Sequence, residues 1–203
     1  MPSTGNDTTT RKTMTFTKTH ASAACAMLAM LAGCAGGVPE YKEPPVATAA
    51  VKETQARIVL RSADMPMAVN FSLSTAEASC EGFAPIGRVF HSGREKLLPW
   101  IATLTEKSRR AVSNDQPQIE QTVEADRPVQ IRGASGWSNV GQQMTTSGSC
   151  GPLFSRFTPA GGKTYLVEFR FAGTNSCSQQ IYEVAPDEQR TPITSDKALP
   201  CTH

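Results

Sequence analysis

An alternation of apolar and charged side chains around residue 168 constrains this chain more than any other feature. The apolar positions are Tyr165, Val167, Phe169 and Phe171. Glu168 and Arg170 lie between them. Because successive side chains of a strand point to opposite faces, this spacing places the apolar groups on one face and the charges on the other. The segment therefore predicts a half-buried β-strand.

Six further segments carry shorter versions of the same pattern. They are Ile58–Leu60, Met67–Leu73, Ile119–Val123, Val129–Ile131, Leu153–Phe157 and Ile181–Val184. Turn-forming residues separate them at 125–128, 159–163 and 172–175, where Gly, Pro, Asp and Asn are concentrated. The last three strands predict a meander over residues 152–184. Short strands at this spacing favour an all-β fold, an antiparallel sandwich that is immunoglobulin-like or barrel-like. The one helical candidate is Leu98–Arg110, which the pattern also allows to be a loop.

Composition bounds the classes of function. The chain has 203 residues, of which 39% are hydrophobic and 19% charged, as expected for one globular domain with linker segments. The longest apolar run is shorter than the roughly 18 to 20 residues of a membrane-spanning helix. A net charge of +2 without a basic cluster gives no support to nucleic-acid binding.

The N-terminal segment has the layout of a secretory signal. Basic residues, Lys18 the last of them, precede an apolar stretch from Ala21 to Leu31. Met1 or Met14 is the start of this signal. The stretch ends in Leu31-Ala32-Gly33-Cys34, which resembles the lipobox of bacterial lipoproteins.

The lipobox resemblance implies a processing site and an anchor. Cleavage falls between Gly33 and Cys34, and the Cys34 thiol then carries a diacylglycerol, with a further acyl chain such as palmitate on its amine. Two or three acyl chains hold a protein durably at a membrane, whereas a single chain does not. Ala35 follows the lipidated position, and by the same resemblance the absence of aspartate there favours the outer membrane, with the protein facing the periplasm.

Three segments follow along the chain. Residues 1–33 are the signal peptide, residues 34–53 the lipidated cysteine with a flexible tether, and residues 54–203 a β-rich periplasmic domain. The tether prediction depends on the Gly, Pro and Ala content of 35–53, which lacks apolar periodicity. A first helix through Ala47–Lys52 is the alternative. The signal carries three of the 20 basic and one of the 18 acidic residues, so the mature chain is formally neutral.

The exported domain retains four cysteines, which predict two disulfides. They are Cys80, Cys150, Cys177 and Cys201. If the meander forms one sheet, Cys150 and Cys177 lie two strand spacings apart, about 10 Å. This favours Cys177–Cys201 with Cys80–Cys150. The pairing Cys150–Cys177 with Cys80–Cys201 stays open.

Residues with catalytic or metal-binding chemistry are few. His91 lies in the probable turn Val89–Gly93, and the chain has no nucleophile-elbow pattern, so we interpret it as an exposed or hydrogen-bonded turn histidine. The terminal His203 is a poor metal ligand. The carboxylates Glu120, Glu124 and Asp126 are spaced as a solvated face. We therefore predict no catalytic residue, no metal and no cofactor.

Two polar segments are candidates for binding surfaces. The basic run 107–110 is interpreted as a solvated loop. Residues 133–149 predict a long loop or exposed hairpin, and Trp137 within it is the best candidate for a binding contact because aromatic residues dominate binding hot spots. Packing of Trp137 beneath its own loop is the alternative.

A second resemblance covers about the C-terminal half of the mature domain. Its positions are Glu120, Val123, Ala125, Arg127-Pro128-Val129, Phe157, Pro159, Gly162-Lys163, Tyr165, Val167, Phe169 and Cys177. This pattern is similar to proteobacterial envelope lipoproteins of no known activity. The resemblance implies a small β-rich periplasmic domain.

Three functions fit these observations. The first is a non-catalytic, lipid-anchored binding or accessory module with an envelope protein partner. The second is a hydrolase or inhibitor directed at cell-wall glycans, and the third is a purely structural envelope component. A carboxylate-lined cleft would favour the second, and an apolar patch or open strand edge the first.

Overall fold

The structure, a computed structural model, describes residues 44–46, 50–92, 98–140, 145–173, 175–195 and 201. They belong to one compact unit within Pro39–His203. The lipobox Leu31–Cys34, both candidate starts Met1 and Met14, and His203 lie outside the described residues, so the signal and anchor stay predictions.

Nine strands and one helix make up the described part of the domain. In chain order they are β1 (Gln55–Ala63), β2 (Ala68–Ser74), β3 (Ala84–Phe90), α1 (Pro99–Ser113), β4 (Ile119–Glu124), β5 (Val129–Val140), β6 (Thr145–Phe157), β7 (Thr164–Gly173), β8 (Ser176–Val184) and β9 (Arg190–Ile193). The all-β sandwich is confirmed. One sheet has the order β4-β1-β7-β8-β9 and the other β3-β2-β5-β6. All pairings are antiparallel except β1 with β7, which is parallel.

The two sheets pack face to face through the predicted apolar positions. Phe71 of β2 and Phe169 of β7 meet edge to face across the sandwich, with ring centroids 6.4 Å apart. Gly133 of β5 is required beside them, because a Cβ there would lie 2.7 Å from the Phe169 ring. Since both phenylalanine rings are at most 1% exposed, this contact is at the centre of the core.

The predicted meander over 152–184 is wrong in its first connection. β7 and β8 form the predicted hairpin, but β6 belongs to the opposite sheet. The connection 159–163 crosses between sheets and is fixed by backbone bonds to other segments, from Gly162 N to Gln55 O (2.9 Å) and from Asp126 N to Pro159 O (2.8 Å). The two glycines serve different purposes. Gly161 permits a close approach to the chain before β1, since a Cβ there would collide with the Glu53 carbonyl, and Gly162 adopts the left-handed conformation (φ 71°).

This crossing also reverses the favoured disulfide pairing. Cys150 of β6 bonds to Cys177 of β8 across the core, with Cα atoms 6.0 Å apart. Cys80 bonds to Cys201, with Cα atoms 5.5 Å apart. The expected 10 Å separation assumed one sheet, whereas strands in facing sheets bring the two cysteines opposite each other. The pairing Cys177–Cys201 with Cys80–Cys150 is thus wrong.

The helical candidate is confirmed and extends to Ser113. Pro99 occupies the first turn, where its missing N–H costs nothing. Asn114 ends the helix in the left-handed conformation (φ 53°), and its N–H donates to Arg110 O at 3.1 Å. Two strands were missed, β3 and β9. Each is an edge strand containing proline, Pro85 and Pro192 respectively, where a missing donor is tolerated.

Paired cysteine substitutions distinguish the two connectivities. In Cys80→Ala/Cys201→Ala, we expect Cys150 and Cys177 to remain bonded. In Cys80→Ala/Cys150→Ala, both remaining domain cysteines should carry free thiols, because their native partners are gone. Alkylation under denaturing conditions followed by peptide mass spectrometry measures this.

The opposite labelling pattern would contradict the structure. Loss of either native bond should also lower the free energy of unfolding by about 3 to 5 kcal/mol, because each closes a long loop in the unfolded chain.

Candidate functional site

A cleft of about 460 Å³ opens at one end of the four-stranded sheet. Its lining comes from the start of β2, the end of β3, helix α1 and the β5 side of the β5–β6 hairpin: Pro66, Met67, Ala68, Arg88, Phe90, Arg109, Gly136, Trp137 and Ser138. The sequence prediction placed only Trp137 among binding residues. The structure surrounds it with two arginines and an aromatic ring.

Asp115 organises the basic side of the cleft. Its carboxylate is fully buried and lies 3.2 Å from Arg88 Nε and 2.8 Å from Arg109 Nη2. Arg88 comes from β3 and Arg109 from helix α1, so one carboxylate joins the helix to the sheet. The segment after Asp115 is fixed in turn, because Gln116 N donates to Arg88 O (3.1 Å) and Phe90 N donates to Gln116 O (2.9 Å).

The aromatic groups complete the cleft. The Arg109 guanidinium lies 4.6 Å from the centroid of Phe90, which is a cation–π distance. Both arginine side chains remain more than one-third exposed while Asp115 is covered. Two positive groups facing solvent against one covered negative group leave the cleft with a net positive charge.

Trp137 packs on its own hairpin, which is the alternative that the sequence left open. Its indole lies over Gly148, the residue paired with it on β6, so closely that a Cβ on Gly148 would be 2.6 Å from the ring. The same side chain lines the cleft, and its role in binding stays a prediction. Its Nε1 is buried and has no hydrogen-bond partner among the described residues.

The remaining sequence candidates do not converge on this site. His91 is buried at the end of β3 but is not part of the cleft lining. Glu120, Glu124 and Asp126 are exposed, as predicted for a solvated face. Glu120 and Glu124 are four residues apart on β4, about 13 Å along a strand, and each is beside an arginine rather than beside the other.

The basic run 107–110 was predicted as a solvated loop, and this is wrong. These residues lie on helix α1, and Arg109 is bound to the buried Asp115. Arg88 and Asp115 were missed altogether. Neither has a local signal, because each acquires its role only when β3, the helix and the segment after it are brought together. The αL residue Asn114 before Asp115 is the one feature that marks a chain reversal there.

A second set of contacts lies on the outer face of the five-stranded sheet. Three residues of the segment predicted as tether, 44–46, pack on this face. The Pro44 carbonyl accepts a hydrogen bond from the Arg61 guanidinium, and the Pro45 carbonyl accepts one from Gln118 Nε2 at 3.4 Å. Val46 is buried with Val59, Leu166 and Val184. These three residues are called the strap below.

The strap lies beside a network of charges. Arg61 is 4% exposed and its Nε donates to Gln118 Oε1 at 3.0 Å. The buried Glu168 accepts from Arg170 Nη1 at 2.9 Å and from Arg190 Nη1 at 3.4 Å. The pKa of Arg170 is raised above its ordinary value, and the Glu168 carboxylate is the main cause.

Among the described residues, no cluster of three or more side chains is arranged to hold a metal ion. No helix of the described residues is long and apolar enough to cross a membrane. No protein-family model matches the chain, and neither does any curated protein.

Removal of the Asp115 carboxylate should loosen the cleft. In Asp115→Ala, Arg88 and Arg109 face each other without the charge between them, so we expect the free energy of unfolding to fall by about 2 to 4 kcal/mol. Urea denaturation followed by circular dichroism measures this. Glu124→Ala is the matched control, because its ion pair with Arg127 is exposed and should contribute at most about 0.5 kcal/mol. Equal effects of the two substitutions would contradict the role given to Asp115.

Proposed function

We propose that this chain is a lipid-anchored, non-catalytic binding module of the bacterial cell envelope. Acyl chains on Cys34 hold it at the outer membrane, and the domain faces the periplasm. The support for the anchor is the Leu31–Cys34 pattern behind a basic and apolar leader. The support for binding is the cleft formed by Arg88, Arg109 and Trp137.

The cleft carries this proposal through the kind of groups it presents. Guanidinium and indole side chains are the commonest hot-spot residues in protein interfaces. They recognise a ligand by charge, stacking and hydrogen bonds, and they do not supply the nucleophile and general base that hydrolysis requires. The partner we infer is an envelope protein that inserts an acidic side chain, flanked by apolar surface, between the two arginines.

The two arginines set the chemistry of this recognition. An acidic group in the cleft is bound by the Arg88 and Arg109 guanidinium groups, and the half-buried Trp137 ring lies beside it. Charge-assisted bonds of this kind are about twice as strong as neutral ones. Met67 and Phe90 then supply the apolar surface beside the charge.

Photo-crosslinking in cells tests the proposal. A photoreactive amino acid at Ser138, on the exposed rim of the cleft, should give one dominant protein adduct. The same probe at Thr191, exposed on edge strand β9, should not give it. Adding Arg88→Gln to the Ser138 probe should lower the adduct yield about tenfold, since one charge-assisted hydrogen bond contributes on the order of 1.5 kcal/mol.

The other outcomes are equally informative. Adducts to glycan alone would replace the proposal with the cell-wall hydrolase or inhibitor. The same adducts at Ser138 and Thr191, or an undiminished yield with Arg88→Gln, would show that the cleft is not the recognition site.

A further inference from the structure

Helix α1 presents three large apolar side chains to solvent. Trp100 is 51% exposed, Leu104 61% and Val112 84%. The helix buries Ala102, and Ile101 beside it is half-buried, as are the polar Thr105, Glu106 and Arg109. A helix packed on a protein core has its apolar stripe inward, whereas most of the large apolar side chains face outward here.

The exposed apolar side chains share one side of the helix, with Lys107 and Ser108 between Leu104 and Ala111 along its axis. At about 100° per residue, Trp100, Leu104 and Ala111 lie within about 40° of one another, and Val112 is about 80° further round from Leu104. The exposed residues Lys107 and Arg110 border the other side. An apolar centre with a tryptophan at one end and a basic border is the arrangement of a helix that lies in a membrane interface.

The chain enters the described domain at the strap, which is bonded to the segment that follows this helix. The strap is held by Gln118, only five residues after the helix ends at Ser113. Cys34 precedes Pro44 by ten residues, which sets an upper limit of about 35 Å on the length of chain between the acylated residue and the strap.

We propose that the exposed face of helix α1 docks on the phospholipid surface that holds the acyl chains. Trp100, Leu104 and Val112 enter the headgroup region, and Lys107 and Arg110 contact anionic headgroups. This inference rests on the lipid anchor of the proposed function. The bilayer is the occupant because the strap limits the reach of the anchor and because the basic border matches the negative charge of the lipid surface.

The two tryptophans of the chain allow a direct test. The full-length protein, extracted from bacterial membranes, is reconstituted into vesicles of phosphatidylethanolamine and phosphatidylglycerol that contain brominated lipid. In Trp137→Phe, the fluorescence of the remaining Trp100 should be at least twofold lower in vesicles with brominated lipid than in unbrominated vesicles. In the matched variant Trp100→Phe, the remaining Trp137 should be quenched little.

Further variants separate the helix from the anchor. Leu104→Glu in the Trp137→Phe background should abolish most of the quenching while the protein still floats with the vesicles. Circular dichroism of each variant establishes that the fold is kept; Leu104 is exposed, so its substitution leaves the core intact.

Each result has one meaning. Protein that floats with the vesicles while Trp100 stays unquenched would overturn the docking of helix α1 and leave the anchor standing. Protein that does not float at all would overturn both the anchor and the docking. Quenching of Trp100 that is insensitive to Leu104→Glu would also contradict the proposed face.

Discussion

The packing of two sheets around Phe71 and Phe169 is the constraint on which the rest of the domain depends. Because β6 and β8 lie in facing sheets, Cys150 and Cys177 meet across the core and bond. The same packing requires Gly133 at the centre of β5, where a side chain would strike the Phe169 ring. Beyond this glycine β5 continues away from the core to Trp137, so the position of the cleft is set by the sandwich beneath it.

Asp115 connects the helix to the sheets. A buried carboxylate between two arginines is stable only where both are held in place, and here β3 holds Arg88 while helix α1 holds Arg109. One side chain thus fixes the basic wall of the cleft and the orientation of the helix. The cleft and the exposed apolar stripe therefore share one helix, with the proposed recognition site at Arg109 and the proposed membrane face on the opposite side.

Patterns of local burial could be predicted from the sequence, and pairings between distant segments could not. The alternation around Phe169 predicts a strand and its core-facing side chains. The prediction of a half-buried strand is wrong for the other face, because Glu168 there is only 4% exposed. Strand β3 could not be predicted because it contains Pro85 and Gly87, which have low strand propensity. An edge strand tolerates such residues. The glycines at 161 and 162 are compatible with both a hairpin and a connection that crosses between sheets. The sheet to which β6 belongs therefore could not be predicted from the sequence, and neither could the disulfide pairing that depends on it.

In the candidate site, too, single residues could be predicted from the sequence and contacts between distant residues could not. Trp137 could be singled out from the sequence as a candidate because it is a tryptophan within a polar, Gly-rich stretch. Arg88 and Asp115 could not, because their chemistry arises from proximity in the fold. The strap could not be predicted for a related reason. Pro44 and Pro45 are typical of a linker, yet their carbonyls accept hydrogen bonds from Arg61 and Gln118, which are both distant from them in sequence.

We propose that acyl chains on Cys34 anchor a binding domain whose strap limits its distance from the lipid surface. The intact mass of the protein extracted from bacterial membranes tests this proposal, with Cys34→Ser as the control. We expect a chain that begins at Cys34 and carries the mass of a diacylglycerol and a further acyl chain, while the control remains uncleaved and unacylated. A chain that begins elsewhere, or an unmodified Cys34, would contradict it.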